Sequence, residues 1–321
     1  MQEFSIDVLR RALVGTRLAD VEVGQWRMDG SPAPVWVLKL GKDDPVVDWE
    51  LLRSLVPVTA RYPLLATANE LECWQMAEAE AQHESESEDE DEDEADEDAE
   101  EGDDDFNDSR QSAIEDSLDV DLDDATEGSA ETSELDALVA GGHFLLERLH
   151  ERCGVSPEVA EIVALRAAGE LRNDVDLHWW LLQWELARNG ELAATWDPSY
   201  LAWHEVDNRD AELVAVLLPT PHAWQALAYS PWYGYYTEDE AQQLAQLRRW
   251  EESYGAELVF ASSVTVCLRV TRRPSTLEEA FELAKEHERF SPSLPHTSGI
   301  SIGENARGLL STDRWTFFED P

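Results

Sequence analysis

A run of acidic residues constrains this chain more than any other feature. Between positions 84 and 108, 18 of 25 residues are Asp or Glu, and none is Lys or Arg. Like charges at that density repel. A stretch with almost no apolar side chains also has nothing to offset the entropy of ordering its backbone. The imbalance reaches further: positions 78–136 hold 30 acidic side chains and one basic residue, Arg110. The sequence therefore predicts folded regions on both sides of a long disordered acidic insertion. Two sparse apolar islands inside it, at 114–118 and 120–122, are too small to form a core.

The rest of the chain is acidic too. The net charge is −46 over 321 residues, and −17 remains when 78–136 is set aside. Such a surface repels phosphates and anionic membranes, because binding there needs Lys and Arg to displace counterions. No nucleic acid and no membrane is expected as a partner; a basic protein is. Only three of the 24 basic residues are Lys (Lys39, Lys42, Lys285), a bias that both a GC-rich genome and a salty habitat produce.

Cys73, Cys153 and Cys267 are odd in number and far apart, with no CxxC pair. That suits a reducing compartment, with the thiols as small buried hydrophobes. The first fifteen residues lack the continuous apolar core of a signal peptide, and no apolar run approaches the roughly 20 residues that span a bilayer. The expected location is cytoplasmic.

The fold class expected is α+β: mixed small sheets with flanking helices, a helical middle segment and the acidic insertion. Residues 1–76 read as an N-terminal α+β unit, with a helix near 4–13, strands at 18–26, 34–40 and 62–66, and a short helix capped by Asp48. Residues 77–133 are the acidic segment. Residues 134–205 read as helical: an apolar stripe over 134–149, a start at Ser156-Pro157, and a third helix over 175–188. Residues 206–321 read as a C-terminal α+β domain. Its signals are a continuous apolar strand at 213–218, an amphipathic helix over 238–254 ended by Gly255, and strands at 258–260 and 264–270. A capping box at Ser275-Thr276-Leu277-Glu278 and a last strand at 314–319 follow. Sheets of so few strands are marginal alone, so the N-terminal unit and the residues after Leu213 are expected to share one folded body.

The last region resembles a bacterial family known as domain of unknown function 4253, over about 211–320. The residues that carry the resemblance are Pro221-His222-Ala223-Trp224, Pro231-Trp232, Leu247-Arg248-Arg249-Trp250 and Tyr254-Gly255-Ala256-Glu257-Leu258. Arg269-Val270-Thr271-Arg272-Arg273-Pro274 and the closing Trp315-Thr316-Phe317-Phe318-Glu319-Asp320 continue it. Trp49 and Tyr62-Pro63-Leu64-Leu65 are similar to the part that lies upstream in family members. The family carries Cys-Pro-Asp after its long helix; here Phe290-Ser291-Pro292-Ser293 stands there. The resemblance implies a fold and a bacterial source, and brings no activity with it.

His204 and Glu205, with Asp207, put an imidazole and two carboxylates within four residues, the ingredients of a general base or a metal site. The zincin pattern needs a second His one turn on, and Asn208 stands there. His222 follows an apolar strand and sits beside Trp224, where α/β sites often lie; the other reading is a His capping a turn. Glu286-His287-Glu288 reads as a solvated helix face, since neighbours on a helix point about 100° apart. Asp119, Asp121 and Asp123 imitate a calcium loop, but Asp124 and Ala130 occupy the places of its Gly and Glu. No metal and no cofactor are expected. Tyr229, Trp232, Tyr233, Tyr235 and Tyr236 crowd a Pro- and Gly-containing loop, as interaction hot spots do; the other reading is a loop folded back on its own core.

Three functions remain open. One is a protein-interaction module, immunity-like or regulatory, that binds a basic protein through Trp232, Tyr233, Tyr235 and Tyr236. Another is an enzyme with a site at His222, His204 and Glu205. The third is a DNA mimic or polyanionic buffer. The balance leans away from an enzyme, and the oligomeric state is open.

Overall fold

The structure is a computed structural model, and it describes residues 5–28, 31–41, 43–76, 109–122, 134–142, 144–192, 202–208, 210–230, 232, 239–293 and 300–319. In chain order the elements are α1 (Ile6–Leu13), β1 (Val23–Trp26), β2 (Val35–Lys39), α2 (Pro45–Ser54), α3 (Val56–Thr59), β3 (Tyr62–Thr67), α4 (68–76) and α5 (Ser109–Asp116). Then come α6 (Glu134–Val139), α7 (Phe144–Cys153), α8 (Val159–Ala167), α9 (Asp174–Asn189), α10 (His204–Asp207), β4 (Leu213–Leu218) and a 3-10 helix, Trp224–Tyr229. The chain closes with α11 (Glu240–Tyr254), β5 (Glu257–Ala261), β6 (Thr265–Arg269), α12 (Leu277–Phe290), α13 (Ile302–Leu309) and β7 (Arg314–Phe318). This is the α+β class expected. The elements fall into two compact units built from interleaved stretches, 1–122 with 203–270 and 123–202 with 271–320.

In the first unit the strands lie in the order β1-β2-β4-β3-β5-β6. All six side chains of β4, LVAVLL, are buried, as a strand covered on both faces requires. β4 runs antiparallel between β2 (Val37↔Val216) and β3 (Leu64↔Val216). The N-terminal strands and Leu213–Leu218 thus share one sheet. β3 pairs parallel with β5, and β5 antiparallel with β6 through a register shift between Leu258 and Phe260. Two buried aromatic donors tie the layers together: Trp49 Nε1 donates to Pro63 O at 2.9 Å, and Tyr62 OH to Leu258 O at 2.8 Å.

Three local details differ from the sequence reading. The strand expected from 18 begins only at Val23, because Thr16 takes the chain through turns; its Oγ1 donates to Leu13 O and accepts from Leu18 N. The cap of α2 is Asp44, which accepts from Val47 N at 3.3 Å; Asp48 is buried inside the helix and pairs with Arg17 at 2.9 Å. Within the acidic stretch, α5 packs against α11 and the 3-10 helix and buries Ala113 and Ile114. The first apolar island therefore docks through Ile114 on a core supplied by others, while its Leu118 stays exposed. Residues 77–108 and 123–133 lie outside the described residues.

In the second unit, α6 to α9 pack around Leu135, Leu138, Leu149, Ile162, Leu177 and Leu181. The stripe expected as one helix over 134–149 is broken between α6 and α7. Gly141 has φ 102°, and a Cβ on Gly142 would lie 2.9 Å from Ala137 O. Asp174, at the start of α9, accepts from Glu134 N and Leu135 N at 2.8 Å each and so caps α6 from a neighbouring helix. α8 starts at Val159, past the expected Ser156-Pro157 start. α12 is capped by Thr276, which accepts from Glu279 N at 3.1 Å, while Glu279 Oε2 accepts from Ser275 N at 2.7 Å. The box is shifted one residue from the expected pair.

Candidate functional site

The residues singled out by sequence lie on separate elements of the first unit, His222 on the turn after β4 and His204, Glu205 and Asp207 on α10. His222 is exposed on the turn after β4. Its backbone N–H donates to Thr220 Oγ1 at 3.1 Å, and its ring centroid is 6.3 Å from that of Trp224. His204 opens the one-turn α10 and is exposed, while Glu205 beside it accepts from Thr265 Oγ1 at 3.3 Å. Among the described residues no group of three His, Cys, Asp or Glu side chains is placed to hold a metal ion.

Trp232 is turned inward. It is 1 % exposed, and its Nε1 donates to Gln243 Oε1 at 2.9 Å. An indole buries a large apolar area when one polar atom finds a partner, and α11 supplies that partner. Tyr229 is also buried, whereas Tyr233, Tyr235 and Tyr236 lie outside the described residues. The cysteines differ from one another: Cys73 is exposed, Cys153 half-buried and Cys267 buried.

Beneath α5 the first unit gathers titratable groups that sequence patterns did not flag. The Arg61 guanidinium is buried, donates to Pro34 O and sits 4.1 Å over the Trp36 ring. Burial lowers its pKa to about 10. Glu240, at the start of α11, is pushed up to about 7 by burial, with Arg110 of α5 opposing. Desolvation dominates here because the charged carboxylate loses water that one guanidinium does not replace.

The second unit holds a buried ionic cluster. Arg307 on α13 donates through both terminal nitrogens to the two oxygens of Glu185 on α9, one of them at 3.1 Å. Its Nε lies 3.3 Å from Glu304, and Glu304 also pairs with Arg152 on α7. Glu185 is 0 % exposed. A single buried charge of this kind is costly; two cations against two carboxylates, one pair a fork, balance. Burial pushes the adjacent Cys153 thiol up to about 11, helped by Glu185, which makes it a poor nucleophile at neutral pH. One signal was legible: Glu185 stands four residues beyond Leu181 on the buried stripe of α9, a place where a charge needs a partner.

His287 overturns the solvated reading of Glu286-His287-Glu288. It is 2 % exposed, edge-on to Trp315 and Phe317 at 4.7 and 4.8 Å, and its Nδ1 accepts from Asn305 Nδ2 at 3.4 Å. Burial lowers its pKa to about 3, so the imidazole is neutral. Nearby, where the resembled family has Cys-Pro-Asp, Ser291 Oγ donates to Phe318 O at 2.9 Å and Ser293 Oγ to Glu319 Oε2 at 2.6 Å. These serines fasten the end of β7 to α12.

Among the described residues no helix is long and apolar enough to cross a membrane. No curated protein and no solved structure matches the chain. Residues 214–320, about one third of the chain, match the family model described as Domain of unknown function (DUF4253), and the match runs from the first unit, which holds 214–270, into the second, which holds 271–320.

Proposed function

We propose that this chain is a cytoplasmic protein-interaction module that engages a partner with an Arg- and Lys-rich face, in an immunity-like or regulatory role. The observation that carries this reading is the charge balance, −17 even with 78–136 set aside. Among the described residues several cations are turned to the chain's own carboxylates: Arg53 to Glu257, Arg152 to Glu304, Arg166 to Asp136, Arg269 to Glu50 and Arg307 to Glu185. Such pairs are neutral, so the surplus offered to a partner is carboxylate. A field of that sign steers a cationic face inward and repels nucleic-acid phosphates. The elements on either side of the acidic run, α4 and α5, both belong to the first unit.

Affinity purification from the native host is expected to recover a basic protein that salt elutes. Changing the acidic residues of 84–108 to Asn and Gln should slow association and leave dissociation nearly unchanged, since long-range charge acts on encounter. Recovery of no basic protein, together with binding to duplex DNA that survives about 300 mM salt, would refute the reading. A partner displaced by duplex DNA would instead point to DNA mimicry.

A further inference from the structure

In the second unit the first turns of α9 and α12 line an open groove of about 550 Å³, within the range of sites that accept a small molecule or a partner's side chain. Its floor is aromatic. Half-buried Trp179 and buried Phe281 lie with ring centroids 5.1 Å apart and planes tilted 51°. Its rim is charged. α12 places Glu278, Glu282 and Lys285 at i, i+4 and i+7 on one face, while α9 brings Asp176 and the segment just before it Arg172. The two rim cations are already matched. Arg172 Nε and Nη2 donate to the two oxygens of Asp176 at 2.8 and 3.0 Å, and Lys285 Nζ donates to Glu282 Oε2 at 2.9 Å. Glu278 is exposed, and among the described residues no basic side chain pairs with it. The rim therefore carries one negative charge in excess above an aromatic floor.

We infer that this groove binds an arginine side chain of the basic partner, its guanidinium laid against Trp179 and donating to Glu278 and Glu282. The inference rests on the partner-binding reading above. Arginine fits better than lysine. Its plane stacks on an aromatic face, its fork spans two carboxylate oxygens, and it gives up water more readily than an ammonium. Glu278 and Glu282 stand one helical turn apart, so one guanidinium can donate to both. Lys285 competes for Glu282 and weakens the site.

The test uses the full chain with the acidic residues of 84–108 changed to Asn and Gln, so that the acidic run cannot hold the probe. Hexa-arginine and hexa-lysine peptides are titrated by calorimetry. Hexa-arginine should bind more tightly than hexa-lysine. Glu278→Gln and Trp179→Leu should each weaken it by about threefold or more. Lys285→Gln, which releases Glu282, should tighten it by a similar factor. Glu72→Gln, an exposed charge change in the first unit, should do neither. If Trp179→Leu fails to fold, the two α12 variants, exposed Glu278→Gln and half-buried Lys285→Gln, still decide the matter. Equal affinity for both peptides, or Glu278→Gln and Lys285→Gln that bind like their parent, overturns the groove; if the chain with its acidic run intact still binds hexa-arginine, the partner-binding reading stands. Loss of hexa-arginine binding by that intact chain as well would overturn both.

Discussion

A neutral imidazole at position 287 lies between the edges of Trp315 and Phe317, and this has a cost that depends on pH. In the unfolded chain the ring takes up a proton near its ordinary value of 6.5; in the folded chain it does so only near 3. Between those values the unfolded state binds more protons, so acid favours unfolding. The contribution of His287 is complete above pH 6.5 and is lost as pH falls toward 3, by up to about 1.4 kcal/mol per pH unit. Urea unfolding at a series of pH values from neutrality to about 4.5 should show the midpoint falling. His287→Phe, which keeps a ring in the cavity, should flatten that fall. An equally steep decline in the variant would place the acid sensitivity elsewhere. The one local signal of this burial was the place of His287 three residues beyond Ala284 on the buried stripe of α12. A His flanked by Glu286 and Glu288 looks solvated, and only the packing of α12 on α13 and against β7 turns it inward. The sequence also marked His204, Glu205 and His222 as chemistry-bearing, on residue type alone. Distance between side chains is a tertiary quantity, and residue type does not contain it.

At the scale of elements, α5 is held by few contacts. Ala113 and Ile114 supply its buried apolar surface, and Ser117 closes its end by donating from Oγ to Ile114 O at 2.7 Å. An isolated helix of eight residues is unstable in water, so docking is what maintains it. Ile114→Asp should undock α5 without unfolding the unit. Hydrogen exchange over 109–122 should then speed up markedly while the global unfolding midpoint moves little. Unchanged exchange there would mean that α5 does not depend on its buried face. Most helices and strands were readable because their periodicity and punctuation are local: LVAVLL as a buried strand, Gly255 ending α11. The boundaries that slipped are those where a distant group intervened. Asp174 caps α6 across the chain, and the break at Gly141-Gly142 is set by the close approach to Ala137.

Across the whole molecule, charge outweighs every other compositional feature. At −46 over 321 residues the folded state pays for compaction in self-repulsion, which salt screens over about 8–10 Å. The thermal midpoint should therefore rise between about 20 and 300 mM NaCl, and the rise should shrink when the acidic residues of 84–108 become Asn and Gln. A midpoint that falls with salt would show that paired charges outweigh repulsion. The sequence by itself determined this sign of charge, the α+β class, the positions of most elements and the resemblance of the C-terminal third to DUF4253. All of these follow from composition or from spacing along the chain. Only the tertiary structure decided that β4 lies between β2 and β3, that Glu185 and Arg307 meet in the interior, that Trp232 points inward, and that Trp179 and Glu278 share a groove. Each joins residues far apart in the chain, and such pairings are selected by the burial of apolar surface over the whole fold, a sum that no short window of sequence contains.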